Sequence, residues 1–82
     1  MSRGSEEVKA RFLATLEIAR RELAVLEYSH GKLFSFQIDA EWVKRLRDDM
    51  EAAETLEAFV SRFGRFQDTL GDKLIPRALL AL

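Results

Sequence analysis

Three groups of side chains have types and spacings that invite chemistry. Arg62 and Arg65, within Arg62-Phe63-Gly64-Arg65-Phe66, lie three apart on a helical surface, with Arg77 further on. Two guanidinium groups so placed would grip a phosphate or a partner's carboxylate. The plainer reading has their stems lying over the neighbouring phenylalanines with the charged heads in water. Tyr28 and His30 suggest an acid–base pair, but residues two apart point to different sides of a helix. His30, with Lys32, better suits the negative pole at a helix end. Asp48, Asp49, Glu51 and Glu54 cluster as the acidic start of a helix does, and that accounts for them without general acid–base catalysis.

Beyond these, the usual machinery is missing. No Ser-His-Asp or Cys-His set has a base with a recognisable partner. With no cysteine and a single histidine, no metal site is expected, and no catalytic or cofactor-binding residue is assigned. Phe59, Phe63 and Phe66 read as core or interface, because a stacking platform for bases needs exposure and adjacent positive charge. The 13 Lys and Arg against 14 Asp and Glu supply no basic excess for nucleic acid.

The elements that must carry these residues are helical. Leu56, Phe59, Val60, Phe63, Phe66 and Leu70 recur at steps of three and four, placing them on one broad flank. Val8, Phe12, Leu16, Ala19, Leu23 and Leu26 keep the same spacing earlier, while Leu13, Ile18 and Val25 widen that apolar face. Ser5 is read as the first helix's N-cap, with Glu6 and Glu7 in the first turn. Gly31 is read as its left-handed C′ residue, giving a helix over 5–30.

The stretch 31–38 alternates apolar residues but has no second strand to pair with, so it is expected to be an ordered connection. In it, Leu33, Phe34 and Phe36 would form a lid on the core. Asp39 caps a short helix whose inner face is Trp42, Val43 and Leu46. Asp48 to Glu51 then repeats a start signal resembling a capping box, so a break is expected there.

The main helix is expected over 50–71. Gly64 within it costs about 1 kcal/mol relative to alanine, with close approach of a neighbouring helix as the expected compensation. Gly71 and Pro76 predict a kink or short gap before a last helical segment ending at Leu82.

A chain of 82 residues is one domain near the lower limit for folding alone, and no disulfide supports it. The fold class expected is all-α: an antiparallel helical bundle of two long helices plus short helical segments, completed by dimerisation. The tail 74–82 is very apolar, and with Phe66, Leu70, Leu74 and Leu79 it is where a twofold dimer is expected to close. No apolar run reaches the ~20 residues of a membrane span, and the N-terminus lacks a signal peptide's apolar core. The expected location is the cytoplasm.

The run Leu56-Glu57-Ala58-Phe59-Val60-Ser61-Arg62-Phe63-Gly64-Arg65-Phe66-Gln67-Asp68-Thr69-Leu70-Gly71-Asp72-Lys73-Leu74 resembles the second main helix of HepT-like proteins, the nucleotidyltransferase substrate-binding subunit family. Leu26-Glu27-Tyr28-Ser29 and Asp39-Ala40-Glu41-Trp42 fit the same pattern. The resemblance covers most of this chain and about the first half of a typical member. It implies a helical homodimer that docks a minimal nucleotidyltransferase. In better-studied members the helical protein is a toxin, described as a ribonuclease, whose tyrosine the partner modifies. The family's later signature is an Arg followed after four to six residues by His-x-Tyr, and this chain has none. Its single histidine precedes Gly31 and Lys32, so no toxin or modification residue is carried over. Two other readings stand beside this one: a self-standing ribonuclease or nucleotide-binding enzyme using Arg62, Arg65 and His30, and a purely structural homodimerisation module.

Overall fold

A computed structural model describes residues 3–82. It is all-α, with no strand among the described residues. Helix α1 spans Arg3–Leu33, α2 Ala40–Arg45 and α3 Met50–Asp68; a π-helical segment, Thr69–Leu74, joins α3 directly to α4, Ile75–Ala81. The second arm, α3 to α4, lies antiparallel along α1, and the hairpin extends 60 × 16 × 16 Å.

Local chemistry fixes the turn between the arms. Asp39 caps α2, its carboxylate accepting the Trp42 N–H at 2.8 Å. Asp49 caps α3 in the same way, accepting the Ala52 N–H at 3.1 Å. The expected break near 48–50 is therefore present, with Asp49 as its cap. Leu33, Trp42 and Ala52 form the buried knot at this end, with Phe36, Leu46, Leu56 and Phe59 packed around it. Of the expected lid, Leu33 is buried and Phe36 half-buried, but Phe34 lies open. Val43 likewise faces outward while Trp42 and Leu46 face in.

Several expected boundaries shift. Ser5 lies inside α1, and Gly31 is helical: no described glycine has positive φ. Burial of Leu33 against Trp42 and Ala52 rewards two further helical residues after Gly31. Gly64 meets no close neighbour, since a Cβ added there would have nothing within 4 Å. Close helix approach does not account for it.

At Pro76 the helix widens rather than breaks. The Ile75 N–H reaches back five residues to the Leu70 carbonyl. Proline, which has no N–H, then enters the first turn of α4, where none is required.

The helices meet through their small side chains. On α1 the innermost line is Thr15, Ala19, Leu26, Ser29 and Leu33, and on the second arm it includes Ala52, Thr55 and Thr69. The apolar stripes expected from spacing coincide with these lines only in part: Ala19 and Leu26 are buried, but the rest lie to one side. Phe63 is 44% exposed and Val60 59%.

Candidate functional site

Seven-residue steps organise the seam between the arms. Thr15, Glu22 and Ser29 form a polar row on α1; Thr55, Arg62 and Thr69 form one on the second arm. Among the described residues, two hydrogen-bonded links cross the seam at Thr69 and Arg77. The Thr69 hydroxyl meets both carboxylate oxygens of Glu22, at 2.6 and 3.0 Å. Arg77 donates from Nη1 to the Thr15 hydroxyl at 2.6 Å, and that hydroxyl donates to the Arg11 carbonyl at 2.8 Å. From Thr69 the step to Arg77 is eight residues, and the π-helical segment absorbs the extra one.

This seam separates two flanks of different character. On one, Arg21, Glu22, Val25, Arg62 and Arg65 line a cavity of about 130 Å³. It is continued by a wider groove along Tyr28, Ser29, Lys32, Glu54, Thr55 and Ala58. Arg62 and Arg65 thus share a cavity, both exposed, with no carboxylate oxygen within 4 Å among the described residues. Arg77 lies apart, tied to Thr15.

The other flank is apolar. Leu23, Leu26, Glu27, His30, Phe59 and Phe63 line one shallow cavity on it; Lys9, Phe12, Leu13, Ala78, Ala81 and Leu82 line another. An aromatic strip crosses it. The rings of His30 and Phe34 are 4.5 Å apart, Phe34 and Phe59 meet edge-on at 6.3 Å, and Phe59 stacks on Phe63 at 6.0 Å. Leu16, Leu23 and His30 repeat every seven residues along α1, as do Leu56, Phe63 and Leu70 along the second arm. Large side chains therefore populate this flank, beside a seam in which only Leu26 and Leu33 on α1 are large.

The chemistry suggested by spacing is not assembled into one site. His30 belongs to the apolar flank and Tyr28 to the polar groove. Arg62 and Arg65 share no cavity with His30. Asp49 serves as a cap, and Glu54 lines the polar groove. No group of three or more His, Asp or Glu positioned to hold a metal occurs among the described residues. Phe66, Leu70 and Leu74 are half-buried within the chain, whereas Leu79 is 67% exposed.

Spacing alone missed the polar row, because threonine, serine and glutamate do not register in an apolar stripe. Their seven-residue recurrence was the available signal.

Fold and flanks together define an all-α helical hairpin with one apolar and one polar side. No family model, curated protein or solved structure matches the chain. No helix among the described residues is long and apolar enough to cross a membrane.

Proposed function

We propose that this chain is a protein-association module, a helical half-bundle whose apolar flank docks against another helical surface. One observation carries the reading: apart from Leu26 and Leu33 the internal seam is made of small residues, while Leu23, Phe34 and Phe63 stay exposed on one side, beside the half-buried Phe59. A self-sufficient hairpin would place its largest apolar groups between the helices, where burial returns about 25 cal/mol per Å². Contiguous apolar surface of this kind marks interaction sites on soluble proteins.

The test is dye uptake at low concentration. The chain at ~1 µM takes up the apolar-surface dye ANS, and Leu23→Glu with Phe63→Glu removes most of that uptake while circular dichroism stays helical. A fully helical chain that is monomeric and binds no dye overturns the reading.

A narrower reading gives the module a minimal nucleotidyltransferase as partner, as the resemblance of the run 56–74 implies. Arg62 and Arg65 support it: both are exposed in the polar groove and free of carboxylate partners among the described residues. Acidic groups on such a partner would complement them. If that reading holds, the chain captures a minimal nucleotidyltransferase and charge reversal at both arginines abolishes the capture; no capture, or capture unchanged by the reversal, overturns it.

A further inference from the structure

Resting on the association reading above, we propose that the apolar flank is occupied by a second copy of this chain, two hairpins closing into a four-helix bundle about a twofold axis. The first argument is area. A compact monomer of 9.4 kDa exposes about 5,000 Å². This chain exposes 6453 Å², roughly 1,400 Å² above that. A stable dimer hides about 800 Å² on each partner, so the excess alone suffices for such an interface.

Shape agrees. The radius of gyration is 17.8 Å, against about 12 Å for a compact domain of this length. Pairing two rods side by side doubles the mass with little added length. A second hairpin laid alongside would bring the assembly closer to a compact shape.

Self-pairing also asks that a surface tolerate its own image. Across the two apolar cavities the only titratable lining residues are Lys9, Glu27 and His30. Juxtaposing two such flanks brings together few charges, whereas pairing the polar flanks would take Arg21, Glu22, Arg62, Arg65, Lys32 and Glu54 out of water. Seven-residue rows on both arms, Leu16, Leu23 and His30 with Leu56, Phe63 and Leu70, give the periodicity by which neighbouring helices interdigitate. The polar groove stays open to solvent in this arrangement.

The proposed interface differs from the one read from the chain end. Of the residues read there, Leu70 belongs to the seven-residue row of this flank, Phe66 and Leu74 are half-buried like it, and Leu79 is exposed. The exposed Leu23, Phe34 and Phe63, beside the half-buried Phe59, form the centre of the proposed interface.

Sedimentation velocity of the 82-residue chain from ~1 to ~100 µM, with dye uptake on the same samples, provides the test. The expected result is a dimer whose formation suppresses ANS uptake. Leu23→Glu or Phe63→Glu weakens it by roughly 100-fold, and Val25→Glu on the polar flank leaves it intact. If either flank variant loses helix along with the dimer, Phe63→Ser takes its place, and a dimer unchanged by Phe63→Ser overturns the proposal. A helical monomer at ~100 µM that still takes up dye overturns the second copy and leaves the association reading standing, with a different protein or a lipid surface as occupant. A helical monomer that takes up no dye overturns both. A dimer broken by Val25→Glu and untouched by Leu23→Glu overturns the assignment of the face.

Discussion

Arg77 and Thr15 lie 62 residues apart in the chain and meet at 2.6 Å across the seam. The contact depends on the π-helical segment Thr69–Leu74, which lengthens the repeat so that Arg77, rather than Pro76, reaches the α1 face. Thr15 is almost completely buried, so Arg77 also covers a hydroxyl that water does not reach. Arg77→Leu should cost about 1–2 kcal/mol in chemical denaturation, as loss of a charge-assisted hydrogen bond does. A double-mutant cycle with Thr15→Val should show coupling between the two positions, and strict additivity would mean that the contact contributes nothing.

Deleting Gly71 tests the phase argument directly. Removing one residue from the π-helical segment restores an α-helical repeat and rotates everything after it by about 100°. Arg77 then leaves Thr15, and the apolar side chains of α4 turn as well. The deletion should destabilise more than Arg77→Leu alone. Equal or smaller loss would show that the widened turn does not set the register.

Thr69→Val should be worse than its small volume change suggests. It leaves the Glu22 carboxylate, half-buried in the seam, without the hydroxyl that now meets both oxygens. The expected loss is about 1–3 kcal/mol. Pairing it with Glu22→Leu should recover much of this, because two apolar partners leave nothing unsatisfied. Failure of that recovery in denaturant melts would place the cost elsewhere.

Gly64→Ala should stabilise. The site is helical, and a new Cβ meets nothing within 4 Å, so the substitution gains up to about 1 kcal/mol from helix propensity and lowered unfolded-state entropy. A rise in melting temperature checks it. A fall would indicate that a neighbour absent from the single chain approaches Gly64.

Trp42→Ala should be the most damaging single change, at about 3–5 kcal/mol. Trp42 is buried against Leu33 and Ala52 and stands 5.9 Å from the Phe36 ring. Trp42→Phe should cost far less, because the indole Nε1 is buried without a hydrogen-bond partner and its removal forfeits none. Denaturant melts followed by circular dichroism rank the two.

Phe63 shows where reading the chain stops short of reading the fold. Its position in the apolar stripe suggests a core residue, with a truncation cost of 3–5 kcal/mol typical of a buried phenylalanine. In the single chain it is 44% exposed and stacks on Phe59, so the cost there should fall well below that range. Spacing locates the apolar side of a helix; it does not say which edge of that side meets the neighbour.

The helices themselves were legible because their causes are local. Apolar recurrence at three and four residues, the Asp39 and Asp49 caps, and the break before Met50 all act within a turn or two of the chain. The sequence by itself therefore determined an all-α hairpin with two long arms. Tertiary structure decided how those arms are rotated about their axes. It chose the seam of Thr15, Ala19, Leu26, Ser29 and Leu33 against Ala52, Thr55 and Thr69, carried α1 through Gly31, and widened the turn before Pro76. Rotation depends on which residues sixty positions apart meet, as Thr15 and Arg77 do. No window along the chain contains that contact, and on it rests which flank holds the arginines and which is left apolar.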